Sequence, residues 1–465
     1  MQYLTEALPI SPLISNSESF NRFNNELSNN LQWNPRASID YKFGDSGWSV
    51  TAGTGLFSGK LPYLWFGYFD YISGTDYFNI DIRPGGEEVP LTELSDLTEV
   101  QPGLTEVNLL DPDFKFPRDW KTNVGIEWQQ GDNWKFGAEF SYTNVLQGLF
   151  FQTINRTENL ANFRGADDRL FYNTSGEEVK IDQSFTNVFV LTNTDQGYRY
   201  NATLTAERKA GNAYSYFGYT YGVSKDISST VRSSPAANYE WNQALFGNDP
   251  ELSFSNHDLR HKINFLQAYN FGFGNHSLEV SLLYNGRSGS PFTFVYQGDL
   301  NRDGSSRNDL IYVPANESEI NLVDFTDING NLVTAEEQWQ SLDAYISSVD
   351  YLDENRGDHT VRNGGRTPWN HSVDMSFKFN LSTKNADRVS FKVDVFNILN
   401  VINSSWGKQY FVPNVVNSSF SLLGFEGIND FQPEFTFDIP LETRPWIVDT
   451  FNSRWRLQLG FEYAF

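Results

Sequence analysis

The chain has 465 residues, contains no cysteine and carries a net charge of −24 at neutral pH. The missing cysteines exclude disulfides and zinc–thiolate centres, and the acidity excludes a nucleic-acid partner, because phosphate backbones are met by basic surfaces. Aromatic residues make up 16% of the sequence, with 39 Phe, 23 Tyr and 12 Trp, a content suited to the interfacial girdles of a membrane barrel.

No stretch reaches the roughly 18 consecutive apolar residues that a transmembrane helix needs. The opening MQYLTEALPISPLI has neither a basic n-region nor a continuous apolar core, so it does not read as a signal peptide. From residue 36 onward the dominant signal is alternation with period two, which gives a strand one apolar and one polar face. Segments 36–43 and 48–57 alternate across Gly44-Asp45-Ser46-Gly47. After Pro62 comes an aromatic run, Tyr63, Trp65, Phe66, Tyr68 and Phe69. Two readings are open for it: a stacking platform for a sugar or peptide, or a continuation of an interface girdle. The acidic clusters Gly86-Glu87-Glu88 and 93–99 read as solvated loops.

The pattern returns in pairs. Segments 120–129 and 134–143 flank Gly131-Asp132-Asn133, 198–208 and 213–223 flank Gly211-Asn212, and 260–271 and 276–285 flank a turn at 272–275. Segments 371–381 and 388–396 form the last pair. Short Gly/Asn/Asp-rich connections of this kind are hairpin turns. The polar faces carry Asp40 and Lys42, Lys135 and Glu139, Arg199 and Glu207, Asp374 and Lys378, Lys392 and Asp394, Arg456 and Glu462. The strand at the C-terminus alternates from Trp455 through Phe461 and Tyr463 to Phe465.

Between the pairs lie long connections at 58–119, 144–197, 224–259, 286–370 and 397–453. Compact soluble domains seldom contain loops of this length, whereas membrane barrels alternate short periplasmic turns with long extracellular loops. The fold class is therefore all-β, a transmembrane antiparallel β-barrel with eleven strands, or twelve if another hides at Phe185–Thr194 or before residue 30. An odd count that begins outside does not close as an ordinary antiparallel barrel. The chain is thus expected to be the C-terminal part of a wall of roughly 22 strands, the number of plugged outer-membrane transporters. Segment 286–370 is expected to be a large extracellular loop insertion with a short helix at 334–349, started by a Thr334/Glu337 capping box and with Trp339, Leu342 and Ile346 on one face.

Within that insertion, Asp299-Leu300-Asn301-Arg302-Asp303-Gly304-Ser305 matches the start of a calcium loop, with oxygen ligands at positions 1, 3, 5 and 7 and Gly at position 6. Position 12 is Leu310 rather than Glu, and Asp309 stands one place early. Two readings are open: an extracellular calcium site using Asp299, Asn301, Asp303, Ser305 and Asp309, or an Asx-rich turn that holds no ion. No other cofactor is indicated. The five histidines form no HExxH, and no GxSxG or phosphate-binding loop occurs. His257-Asp258 with His261 is the nearest approach to an acid–base set, and the expectation is that the chain is not an enzyme.

Several motifs carry a family resemblance. They are Asn34-Pro35-Arg36, the segment Thr54–Pro62 (TGLFSGKLP), Phe116-Pro117-Arg118, Asp299–Pro314 (DLNRDGSSRNDLIYVP), Arg356-Gly357, Arg362-Asn363-Gly364, Phe391–Asn400 (FKVDVFNILN) and the terminal Phe. With them the chain resembles the C-terminal half of TonB-dependent outer-membrane receptors, in particular the Oar-like group with a carboxypeptidase-regulatory-like N-terminal domain. The resemblance implies residence in the outer membrane, contact with its lipid, and assembly by the barrel assembly machinery through the terminal signal Trp455, Phe461, Tyr463 and Phe465. It also implies uptake of a scarce nutrient (oligosaccharide, peptide or siderophore) bound by extracellular loops. TonB would act only through a plug, which these residues do not supply. The alternatives are a plugless structural or adhesive barrel and a soluble all-β carbohydrate-binding domain.

Overall fold

The computed structural model describes residues 20, 32–71, 105–173, 179–382, 388–413 and 418–464. The alternating segments form an antiparallel meander of eleven strands, each paired with its neighbours in chain order. They are β1 (Arg36–Lys42), β2 (Trp48–Ser58), β3 (Arg118–Gln130), β4 (Trp134–Thr153), β5 (Gly197–Ala210), β6 (Ala213–Asp226), β7 (His261–Phe273), β8 (His276–Arg287), β9 (Asn370–Ser382), β10 (Arg388–Phe396) and β11 (Arg456–Ala464). All eleven expected strands are present, and four of the five tight turns fall where the sequence puts them; the turn expected after Ser382 lies outside the described residues.

Register carries the period of two across the whole sheet. Phe391 stands opposite Phe461, and Trp48 stacks on Trp128 with ring centroids 5.4 Å apart. The other face holds the charges: Lys135 bonds Glu127 at 2.8 Å, Lys392 bonds Asp394 at 3.0 Å and Lys378 bonds Glu462 at 3.3 Å.

Among the described residues nothing covers the apolar face. Leu459 is 73% exposed, Phe461 66% and Ile39 62%. A sandwich would bury these side chains against a second sheet, at about 1.5–3 kcal/mol each. The buried clusters lie elsewhere, in the long connections. One gathers Phe163, Phe292, Tyr296, Leu342, Tyr345 and Phe435; a second holds Leu61, Trp65, Phe69, Phe151 and Tyr239. Among the described residues of these clusters and a third around Phe185 and Val188, the wall strands contribute only Phe151 and, packed beside it, Leu149, both at the end of β4 that leaves the wall.

Among the described residues β1 pairs only with β2, and β11 only with β10. The two edges run in the same direction, away from the long-loop end. The strand at Phe185–Thr194 exists, but it belongs to the loop layer: it pairs with residues 148–153 of β4 and runs parallel to Thr105–Leu110. It adds no twelfth strand to the wall. Residues before 32 other than Phe20, the acidic clusters at 86–99 and Phe465 lie outside the described residues.

Among the described residues five α-helices sit in the long connections; the three used below are α1 (Tyr63–Tyr71), α2 (Pro235–Glu240) and α3 (Ala335–Ser347), and the other two are the short turns Asp350–Asp353 and Ile398–Ile402. Helix α3 begins with the expected capping box, with Glu337 N–H donating to Thr334 and Thr334 N–H donating to Glu337. Its buried Leu342, Tyr345 and Ile346 dock it into the first cluster.

Candidate functional site in the loop layer

The Asp299–Leu310 loop lies inside the layer above the wall and is organised by its own side chains. Asn301 Oδ1 accepts from Asp303 N at 2.9 Å, Asp303 Oδ1 from Ser305 N at 2.8 Å, and Asp299 Oδ2 from Gly304 N at 3.0 Å. Asp309 Oδ2 accepts from Leu300 N at 2.9 Å. Asp303 Oδ2 receives Asn308 Nδ2 at 2.8 Å and the Tyr239 hydroxyl at 3.1 Å. Asn301, Asp303, Ser305 and Asp309 are buried and Asp299 is half-buried. The five residues singled out in the sequence therefore do share one compact loop.

Buried acids of like charge need compensation. Two arginines approach. Arg156 Nε donates to the Asp303 carbonyl at 3.0 Å. Arg169, almost wholly buried, bonds Asp167 at 2.9 Å and lies 3.8 Å from Asp309 Oδ1. His359 Nε2 stands 3.0 Å from the same Asp167 oxygen, and the Tyr296 hydroxyl donates to Asp167 at 3.4 Å. Burial alone would raise the Asp167 carboxyl, but Arg169 and His359 hold it well below the usual carboxylate range. The calcium-like loop is less well compensated. Burial, then the charge of Asp303, pushes Asp299 up to about 7, and burial raises Asp303 and Asp309 as well. Asp299 Oδ1 and Asp309 Oδ1 have no hydrogen-bond partner.

The donor set is one of hard oxygens, as calcium prefers, and Asp299 Oδ1 is free to ligate. Asp309 is oriented toward Arg169 instead. Among the described residues no group of three or more acidic or histidine side chains is gathered as a metal centre, so any cation here would draw on amide, hydroxyl and carbonyl oxygens too.

A second feature escaped sequence reasoning. Where the loop ends of β3 to β6 meet the 227–257 connection, a cavity of about 240 Å³ opens, lined by Asp119, Thr143, Arg199, Asp226, Ser229 and His257 among others. Asp119 lies 3.8 Å from Arg199 and 3.7 Å from Lys121. Asp226 takes Arg362 at 2.5 Å and the Ser229 hydroxyl at 2.9 Å. The only local signal was the hydroxyl run Ser228-Ser229-Thr230 after Asp226; the rest comes from strands far apart in sequence.

The aromatic run at 63–69 is divided by helix α1. Trp65 and Phe69, one helical turn apart, are buried in the second cluster, with Trp65 edge-on to Phe151 at 5.1 Å. Trp65 is therefore core and cannot stack on a ligand. Tyr63 is 82% exposed and Tyr68 is half-buried; the Phe66 side chain lies outside the described residues. Nor do His257, Asp258 and His261 assemble. Asp258 is fully buried and holds Arg260 and Arg366, while His261 faces outward from β7. Trp455, Phe461 and Tyr463 line the bare apolar face.

The family model described as an outer membrane beta barrel domain matches residues 14–420. No curated protein sequence matches the chain. Among solved structures, the chain is similar to the siderophore receptor PirA from Acinetobacter baumannii, with TM-score 0.39 and 10% identity over 79% of this chain and 37% of that one. It is also similar to a mutant of the ferric enterobactin receptor PfeA from Pseudomonas aeruginosa, with TM-score 0.38 and 10% identity over 82% and 35%. A third is BauA, the ferric preacinetobactin receptor from Acinetobacter baumannii, with TM-score 0.34 and 10% identity over 83% and 34%. The chain spans about a third of the length of these receptors.

Proposed function

We propose that this chain, which belongs to the outer membrane beta barrel domain family, forms wall and ligand-recognising loops of a receptor for TonB-dependent nutrient uptake. The observation that carries the reading is a packed loop layer with its own buried cores, set on a wall whose outer face is bare and whose inner face is charged. A merely structural barrel has no use for so much ordered structure outside the lipid.

The ligand enters at the junction of layer and wall. The cavity there offers paired charges of both signs and a row of hydroxyls, which suits a polar ligand of low net charge, an oligosaccharide or a short peptide, better than a strongly charged one. Tyr63 stands ready as an exposed ring at the layer surface. No enzymatic step is part of this reading. TonB acts through a plug, to which none of the described strands belongs, and the barrel assembly machinery reads the terminal strand. Calcium occupies the Asp299–Ser305 loop, held by Asp299, Asn301, Asp303 and Ser305, and supplies charge compensation that fixes the layer. Asp309 serves Arg169.

Uptake by cells that express the gene encoding this chain tests the reading. It should stop when TonB is removed and fall when Arg199→Ala opens the cavity wall. Uptake indifferent to TonB would overturn energised transport. A calcium titration by calorimetry that releases no heat would overturn the cation.

A further inference from the structure

On the outward face, at the long-loop end of β6 to β9, five rings stack in a row. Tyr219 lies on His261 with centroids 6.1 Å apart, His261 on Trp369 at 5.7 Å, Trp369 on His371 at 5.9 Å, and His371 on Tyr284 at 6.1 Å, all within 22° of parallel. The row is symmetric about Trp369. At each end a tyrosine hydroxyl meets the Nδ1 of its histidine, Tyr219 with His261 at 2.8 Å and Tyr284 with His371 at 2.9 Å. Tyr284 reaches His371 by folding across Gly286, where a Cβ would stand 2.4 Å from its hydroxyl. The arrangement thus needs glycine at 286.

The hydrogen bond sets the chemistry of each ring. With the phenol donating to Nδ1, the proton of the neutral imidazole sits on Nε2; in the cation both nitrogens carry protons. Where the phenol is the donor, or the ring is a cation, Nε2–H is a donor, and no hydrogen bond from it to another described residue occurs. The Trp369 indole, 39% exposed, adds a third N–H between them. No acceptor of opposite charge shares this face, because the acidic residues of these strands, Asp226, Glu279 and Asp374, fall on the inward register positions. The nearby Arg260 and Arg366 are committed to Asp258. An ordinary girdle needs only amphipathic rings; two tyrosine-locked histidines flanking a tryptophan are a donor array.

We propose that the His261–Trp369–His371 row binds the phosphorylated headgroup of an outer-leaflet glycolipid. The position fits, since the row sits where the lipid-facing surface ends and the extracellular layer begins. So does the donor pattern, as N–H donors with no carboxylate beside them match the acceptor oxygens of a phosphate. This inference rests on membrane residence and is independent of transport.

The test uses the full chain, labelled with ¹⁵N-histidine, in phosphatidylcholine nanodiscs. Three additions are compared: phosphorylated lipid A, the same lipid after phosphatase treatment, and inorganic phosphate. The His261 and His371 ring signals, assigned through His261→Gln and His371→Gln, should move with the phosphorylated lipid alone. The double variant should retain at least about tenfold less of that lipid, as loss of two hydrogen bonds to a charged group implies. Signals that stay still in all three, or that move equally with the dephosphorylated lipid or with free phosphate, overturn the proposal. The wild-type spectra decide this even if the variants assemble poorly.

Discussion

Wall and loop layer solve opposite problems with the same amino acids. In the wall, Leu459 and Phe461 point outward and stay bare; in the layer, Leu342 and Phe435 are buried almost completely. The wall pairs its charges on the inner face, between exposed partners such as Lys378 and Glu462. The layer buries its charges outright, as Arg169 between Asp167 and Asp309. One region is stabilised by a solvent outside the chain, and the other by a core of its own. The lesson is that hydrophobic pattern alone specifies a surface, and that the surrounding medium decides whether the surface is a core.

The sharpest way to break this contrast is to put a charge on each apolar surface. Leu342→Asp should cost on the order of 5 kcal/mol, because an unpaired charge enters a dry core, and should open the layer to proteolysis while the wall stays in the membrane. Leu459→Arg should cost about 2–4 kcal/mol, the penalty for a cation on the lipid face near mid-depth. It should weaken assembly, read as loss of heat-modifiable mobility on gels, and leave the layer's protease resistance unchanged in molecules that do assemble. Equal damage to both regions by either variant would show that they are one cooperative unit.

The join between the two regions is the next target. Asp258, fully buried, takes Ser224 N at 2.6 Å and the guanidinium groups of Arg260 and Arg366, and those two cations flank Phe254 at 4.8 and 5.5 Å. Asp258→Ala leaves two cations facing each other and should cost about 3–5 kcal/mol locally. Accelerated hydrogen exchange at 253–260 and 362–366, with β7 to β9 unaffected, is the expected result.

How much of this could be read from the sequence follows the same division. The wall was legible strand by strand, because alternation is local and needs no partner to be recognised. Helix α3 was legible too, since its cap and its apolar face are both encoded within 334–347. The aromatic run at 63–69 was not. A dense apolar stretch without alternation does not reveal whether its rings point out as a platform or, as Trp65 and Phe69 do, in toward Phe151. The parallel pairing of Thr105–Leu110 with Phe185–Thr194 and the cavity beside Arg199 depend on residues brought together from distant positions, and no period announces them. The DLNRDG segment stood between: its turn was legible, but the approach of Arg156 and Arg169 to its carboxylates was not.

Titration separates wall from layer without mutation. Asp299 binds its proton more tightly when folded, with its carboxyl at about 7 against roughly 3.9 in an unfolded chain. Between those values the folded state holds more protons than the unfolded one, so this group's contribution to layer stability falls as pH rises from about 4 to about 7. Asp299→Asn should flatten that slope. Calcium competes with the proton for the same oxygens, so adding it at pH 7.5 should restore what the pH rise removed. The wall's inner pairs are exposed and should show little change. Protease resistance of the layer measured from pH 5 to pH 8, with calcium and with chelator, reads all three.

The smallest effect expected is at the start of α3. Thr334 Oγ1 accepts from Glu337 N at 3.3 Å, and Glu337 Oε2 accepts from Thr334 N at 2.9 Å. Thr334→Ala removes one half of this reciprocal box and should cost about 1 kcal/mol. Helix α3 should nonetheless stay docked, because Leu342, Tyr345 and Ile346 hold it from the other end and packing, not the cap, supplies most of a helix's stability in a protein. Faster amide exchange confined to 334–338, with 342–347 unchanged, is therefore the expected outcome. Exchange that spreads along the whole helix would mean that the layer's core is looser than its burial implies, and the contrast with the wall would weaken accordingly.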